Sequence, residues 1–304
     1  MSLASSYQAP STLPEVLRLL SANATGATPR PLAGGSDLIV QMGAGRHPSS
    51  MFVDLKRVPE LVGISRHEGG WRIAAATPCA VMGEHAELRA DWPGVVEAAN
   101  LIGSKQVQGR ATVAGNLCNA SPGADSVPAL IAAGAIAEIG ILGPDGAIKI
   151  RELPVEAIPQ GPGRTNLAPG ELVLALRLPK RAERASDAYL RLIPRTEMDI
   201  AVVGCGVSMT LDADGRIVTA RVALGAVAPT ALLVPAAAEA LIGSKLETEA
   251  LAKLAAAASA ACKPIDDKRG TAAYRTQVAG VLARRAATQA YQRALNRSAQ
   301  ENRT

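Results

Sequence analysis

Apolar positions along the chain fall into two regimes. Up to about Pro179, short helical stripes and hairpin-like runs alternate with glycine-rich stretches; beyond it, three strand-like runs precede alanine-rich helical segments. Residues 11–21 put Leu13, Val16, Leu17 and Leu20 on one helical face, with Ser11 or Thr12 as cap and Pro14 in the first turn. A strand over 30–32 leads through a glycine turn to a helix from Asp37, and MFVDL (51–55) reads as a short buried strand. The run 61–77 is a hairpin around Gly69-Gly70. Helices are expected at 79–90, 93–102 and 125–133, then a second hairpin over 135–150 turning at Pro144-Asp145-Gly146, and a loop over 161–170. The three later strands are AYLRLIPR (188–195), DIAVVGCGVSMTLD (199–212) and RIVTARVALGAV (216–227), followed by helices near 234–242, 246–262 and 271–290. Strands followed by helices predict a separate α+β domain with a meander sheet.

Composition sharpens this picture. At 304 residues the chain exceeds one hydrophobic core, and with 48% hydrophobic but only 2% aromatic residues its interiors must be Ala, Val, Leu and Ile at close quarters. The net charge of +5 is concentrated at the C-terminal end, where nine Lys/Arg face three Asp/Glu from Lys263 onward. No aromatic residues are interleaved there for base stacking, so nucleic acid is not expected as a partner. Cys79, Cys118, Cys205 and Cys262 lie far apart without a CxxC pair, which argues against a metal knuckle, an iron–sulfur cluster held by this chain or a disulfide scaffold. No apolar run reaches the roughly 18 residues of a membrane span and no leader pattern is visible, so a cytoplasmic protein without a transmembrane segment is expected.

Two glycine loops carry the candidate chemistry. AGGSD (33–37) and TVAGN (112–116) each combine small residues, a hydroxyl and a helix start. Successive backbone N–H groups at a helix start suit a phosphate. One such loop is commonplace; two suit the two sides of a pyrophosphate, as in a dinucleotide. Other nucleotide motifs are missing: there is no GxGxxG and no GxxxxGK[ST], and GCGVSM (204–209) lacks the third glycine and sits within a strand. His85-Ala86-Glu87 has the HxE of zinc deaminases without the PCxxC that completes the site, and reads as helix surface. His47 and His67 fall in turn-like surroundings. Cys118, beside the second loop, is open to two readings: a ligand contact or a small buried thiol.

The ordered set PLAGGSDL (31–38), IGSKQV (102–107), TVAGN (112–116), ASPGAD (120–125), TNLAPGE (165–171), RTEMDIA (195–201), AYR (273–275) and RRA (284–286) resembles the FAD-binding medium subunit of the molybdenum hydroxylases, the xanthine dehydrogenase and aerobic carbon monoxide dehydrogenase family, over nearly the whole chain. The resemblance implies an α+β chain: a two-part FAD-binding domain of the PCMH/vanillyl-alcohol-oxidase-like type over 1–178 (subdomains about 1–57 and 58–178), then an α+β domain over 179–292 with a three-stranded antiparallel sheet; the basic end of the chain, 293–304, is expected to be a flexible tail. It implies that Pro31, Leu32, Ala33, Gly34, Gly35, Ser36, Asp37 and Leu38, with Thr112, Val113, Ala114, Gly115 and Asn116, hold the pyrophosphate and ribityl region. Asp125 would lie near the polar edge of the isoalloxazine, Ile102 and Val173 against the flavin, and Arg191 where some members carry a lysine near the ring. Two residues depart from the pattern: Arg191 replaces a point charge with a planar fork, and Ala114 stands where glycine is common.

The resemblance further implies a division of labour. Substrate is oxidised at a molybdenum cofactor on a large subunit, 2Fe–2S clusters on a small subunit carry the electrons, and this chain's FAD delivers them to NAD⁺, a quinone or another acceptor. No residue of this chain is expected to be catalytic toward the organic substrate, and none to ligate metal. Two alternatives stay open at this point. A stand-alone FAD-dependent oxidase or reductase would need its own pocket and proton-transfer residue, and the C-terminal domain offers no obvious histidine or carboxylate pair. A non-catalytic interaction protein would have glycine loops that are only turns.

Overall fold

The computed structural model describes residues 5–22 and 27–301, in three packed units. In the first, β1 (Ser6–Gln8), α1 (Leu13–Ser21), β2 (Thr28–Leu32), α2 (Leu38–Gly43) and β3 (Ser50–Asp54) build a parallel sheet of order β1-β3-β2. The central strand, β3, is buried along its whole length, as a parallel strand covered on both faces must be. Helix α1 buries the four apolar residues its periodicity picks out. Thr12 occupies its cap position but makes no side-chain cap bond.

The second unit contains β4 (Ile64–His67), β5 (Gly70–Ala74), α3 (Cys79–Glu84), α4 (Ala86–Asp91), α5 (Pro93–Ala99), α6 (Lys105–Gln108), α7 (Val113–Cys118), α8 (Ser126–Ala133), β6 (Ile136–Leu142), β7 (Ile148–Pro154), β8 (Pro159–Gly161), β9 (Arg164–Thr165) and β10 (Leu172–Leu178). Its antiparallel sheet has the order β4-β5-β10-β6-β7. Strand β10, LVLALRL, joins the two expected hairpins into one sheet. Nothing in its apolar run alone separates strand from helix. The helix expected over 79–90 is broken at His85, whose Nδ1 accepts from the Leu88 N–H and caps α4. His85 is therefore a cap, and no cluster of metal-ligating side chains occurs among the described residues.

The third unit is the antiparallel sheet β11 (Ala185–Leu192), β12 (Val203–Leu211), β13 (Ile217–Gly225) and β14 (Leu232–Leu233), with α9 (Pro235–Glu239), α10 (Thr248–Ala260) and α11 (Ala272–Glu301). The two-residue β14 extends the expected three strands to four. Small residues do the packing that aromatic ones do elsewhere. Ala279, Ala283, Ala286, Ala287, Ala290 and Ala294 form the buried face of α11. The glycines of GCGVSM serve close packing, since a Cβ on Gly206 would lie 2.6 Å from the Pro128 carbonyl oxygen of α8. A flexible tail does not begin at 293: α11 continues to Glu301 because Arg293 and Arg297 reach back to Glu97 and Asp91 of the second unit. Residues 302–304 lie outside the described residues, as do residues 1–4 of the N-terminal stretch read for a leader. No helix of the described residues is long and apolar enough to cross a membrane.

Candidate functional site

Loop 33–37 leaves the carboxyl end of β2 and enters α2. The main-chain N–H groups of Gly34, Gly35, Ser36, Asp37 and Leu38 donate to no partner among the described residues. The second loop ends at Thr112, whose extended backbone (φ −125°, ψ 149°) places its Oγ1 to accept from the Gly115 N–H at 2.9 Å and cap α7. That leaves the N–H groups of Val113 and Ala114, at the start of α7, without a partner among the described residues. Both loops face one cleft of about 800 Å³, at the upper end of the roughly 300–1,000 Å³ range of small-molecule and cofactor sites.

The loops touch each other at Gly34. A Cβ there would lie 2.1 Å from the Arg110 carbonyl oxygen, so the missing side chain serves a backbone-to-backbone approach and not the ligand directly. Gly35 has φ +76°, a left-handed conformation that turns the chain into α2. The second loop is held in turn by Cys79, whose N–H donates to the Ala111 carbonyl at 2.8 Å. Thus the loops are fixed relative to one another before any ligand arrives.

Most of the expected residues converge. Pro31 to Leu38, Ile102, Thr112, Ala114, Gly115, Asn116 and Val173 all line the cleft. Asn116 also ties it to α8, its Oδ1 accepting from the Ser126 N–H at 3.1 Å and from the Ser126 hydroxyl at 2.7 Å. Three expected residues do not line it. Val113 turns into the core at 1% exposure. Asp125 and Arg191 pair with each other at 2.7 Å, both side chains nearly buried. A fork on β11 finds its carboxylate there because α8 packs directly on this sheet.

Burial pushes the Asp125 carboxyl up to about 6, against the opposing pull of Arg191. Between pH 4 and pH 6 the unfolded chain therefore releases a proton that the folded chain keeps, and stability falls as pH rises through that window. Substituting Asp125→Asn should remove this slope. The stability of the wild type relative to the variant should drop by up to about 3 kcal/mol across the window and stay flat above it, as urea titrations at each pH would report.

The sequence reading missed a polar chain across the cleft. Gln41 on α2 donates through Nε2 to Asn119 Oδ1 at the end of α7, 2.9 Å away, and its Oε1 meets His47 Nε2 at 2.8 Å. All three line the cleft. The one available signal was a single amide in the otherwise apolar helix LIVQMG. Burial, with Arg30 and Arg46 nearby, lowers the His47 pKa and favours its neutral form. Cys118 also lines the cleft, but burial pushes its thiol up to about 12, so it is a packed sulfur and no thiolate. Among the charged side chains lining the cleft, Arg30 and Arg46 are cationic, the carboxylate of Glu171 is taken up by a two-pronged pairing with Arg151 (2.6 and 2.7 Å), and burial pushes the Asp37 carboxyl of the first loop above its ordinary value, toward its neutral form.

Unpartnered N–H groups from two loops, small residues that let a ligand approach the backbone, apolar side chains at Ile102 and Val173 and the basic side chains of Arg30 and Arg46 fit an anionic dinucleotide. The fold and cleft thus define a dinucleotide-binding chain with no Rossmann fingerprint. Comparison with known proteins gives its family. Residues 3–181 match the family model described as the FAD binding domain in molybdopterin dehydrogenase, and residues 188–290 match the CO dehydrogenase flavoprotein C-terminal domain. The chain is 36% identical over 292 residues to the carbon monoxide dehydrogenase medium chain of Afipia carboxidovorans, covering 95% of this chain and 98% of that one. It is 32% identical over 228 residues to a xanthine dehydrogenase FAD-binding subunit of Escherichia coli, covering 74% and 75%. The structure of reconstituted CO dehydrogenase from Oligotropha carboxidovorans superposes with a TM-score of 0.88 at 33% identity, covering 96% of this chain and 99% of that one. The chain belongs to the FAD-binding medium-subunit family of the molybdenum hydroxylases of CO dehydrogenase and xanthine dehydrogenase type, and it is an oxidoreductase subunit with FAD as cofactor. That membership disposes of the interaction-protein alternative.

Proposed function

We propose that this chain is the electron-relay subunit of a three-component molybdenum hydroxylase. In this reading the pyrophosphate of FAD rests on the N–H groups of 34–38 and on the start of α7. The observation that carries it is the convergence of two unpartnered N–H groups' runs on one cleft, reinforced by relatives that are medium chains. Bound FAD supplies the ability to take up electrons singly and release them in pairs.

The chain's own contribution is placement and exclusion of water. The two loops fix the anionic centre, Ile102 and Val173 wall the flavin, and Gln41 with Asn119 spans α2 and α7. Asp125 and Arg191, outside the lining, brace α8 against β11 through their pairing. Electrons enter from 2Fe–2S clusters on a small subunit after substrate oxidation at the molybdenum cofactor of a large subunit, and leave to NAD⁺ or a quinone. The organic substrate is set by the large subunit.

The test offers carbon monoxide, xanthine and an aldehyde, compounds of the kinds named in relatives, to the assembled complex and to the isolated FAD-loaded chain. One of them should bleach the oxidised-flavin absorbance of the complex and leave the isolated chain unchanged. Equally fast bleaching of the isolated chain would establish a stand-alone enzyme and overturn the relay reading.

A further inference from the structure

Lys56 follows β3 and stands behind the first glycine loop. Its Nζ donates to the Ala33 carbonyl at 2.9 Å and pairs with Asp54 Oδ1 at 2.6 Å. Asp54 is itself held in place: the Tyr7 hydroxyl donates to its Oδ2, and the Lys56 N–H donates to its Oδ1 at 2.9 Å. Burial alone would raise the Asp54 carboxyl, but these hydrogen bonds from Lys56 and Tyr7 hold it below its ordinary value. The adjoining Leu55 N–H donates to the Leu32 carbonyl at 3.1 Å, so the end of β3 grips the loop at two successive points.

The consequence comes from peptide geometry. In a trans peptide the carbonyl of one residue and the N–H of the next point in opposite directions, and no peptide bond of the described residues is cis. Ala33 and Gly34 line the cleft whereas Lys56 does not. A cation that holds the Ala33 carbonyl from behind therefore turns the Gly34 N–H, one of the unpartnered donors of the loop, toward the cleft. We propose that Lys56 is a positioning residue for the FAD pyrophosphate, aimed by Asp54 and Tyr7 and acting through the Ala33–Gly34 peptide. This rests on the reading that loop 33–37 holds the pyrophosphate.

The experiment measures the affinity of the flavin-free chain for FAD and for ADP, together with its melting temperature. Lys56→Met should weaken both ligands about tenfold, the worth of one charge-assisted hydrogen bond, with a modest fall in melting from the lost pairing with Asp54. Lys56→Arg, which still reaches a carbonyl and a carboxylate, should restore binding. Asp54→Asn should weaken both ligands less than Lys56→Met and serves if that variant does not fold. Wild-type affinity in Lys56→Met, with binding lost in Gly34→Ala, would overturn the proposal and leave the loop reading standing. Wild-type affinity in both would overturn the loop reading as well. Loss that tracks a fall in melting temperature and is not rescued by arginine would make Lys56 a merely structural strut.

Discussion

Replacing Gly34 with alanine is expected to cost the protein its FAD while leaving it folded. The added Cβ would lie 2.1 Å from the Arg110 carbonyl oxygen, 2.6 Å from its carbon and 2.9 Å from the Ala111 Cα, all of them backbone. The second loop cannot retreat, because the Arg110 and Ala111 N–H groups both donate to the Val107 carbonyl (2.9 and 2.8 Å) and the Ala111 carbonyl is held by Cys79. Loop 33–37 must move instead, and its donors move with it. Overpacking of this kind costs about 1–3 kcal/mol, within the net stability of roughly 5–15 kcal/mol of an ordinary domain. Misplacing two donors to a charged group should weaken FAD about a hundredfold or more. Gly43→Ala is the control: a Cβ there meets nothing within 4 Å, and FAD binding should be unchanged. Fluorescence titration with FAD beside a thermal melt separates the two effects.

Arg181→Met should give the largest loss of stability. Arg181 lies between β10 and β11, with only 4% of its side chain exposed. Its Nε donates to the Asp91 carbonyl at 2.8 Å, its guanidinium pairs with Asp187, and it stacks on Trp92 at 3.7 Å from the ring centroid. Asp187 also accepts from the Val95 N–H at 3.1 Å, so this pair joins the second unit to the C-terminal sheet. Removing one partner of a buried pair typically costs about 3–5 kcal/mol, because the other charge stays buried alone. At roughly 2–4 °C per kcal/mol, melting should fall by about 10 °C.

Burial already pushes the Asp187 carboxyl upward, and Arg181 is the main restraint on that shift. Without Arg181 the carboxyl takes up a proton at higher pH, so the deficit should shrink as the solution is made acidic. The double variant Arg181→Met/Asp187→Asn should recover part of the loss at pH 7. Melting curves of the three proteins at pH 7 and pH 5 check both statements. A variant that melts with the wild type would show that Trp92 and the α11 arginines hold this interface unaided.

Local chemistry was legible in the sequence wherever one short stretch determined it. The α1 face, the Gly69-Gly70 and Pro144–Gly146 turns and both glycine loops follow from adjacent residues, and each is found where its pattern put it. What required partners distant in the chain was not legible. Strand β10 is an apolar run whose state is decided by β5 and β6 on either side. The parallel pairing of β1 with β3 rests on three residues whose exposed side chains carry no alternation. Gly34 of AGGSD stands out in the sequence, but that its empty side faces the Arg110 carbonyl depends on a residue far along the chain. The positive charge concentrated at the C-terminal end carried no sign of its use in the sequence; Arg275, Arg293 and Arg297 of that helix bond within the chain itself, to the Val202 carbonyl, Glu97 and the Ala90 carbonyl.

Hydrogen–deuterium exchange of the isolated chain with and without FAD tests the central claim most directly. The N–H groups of 34–38 and of Val113 and Ala114 have no partner among the described residues to protect them, so they should exchange fast in the flavin-free chain. Adding FAD should slow exchange in peptides covering 33–38 and 112–116 more than anywhere else. FAD bound at full stoichiometry with no slowing in either loop would contradict the account and place the cofactor outside the cleft.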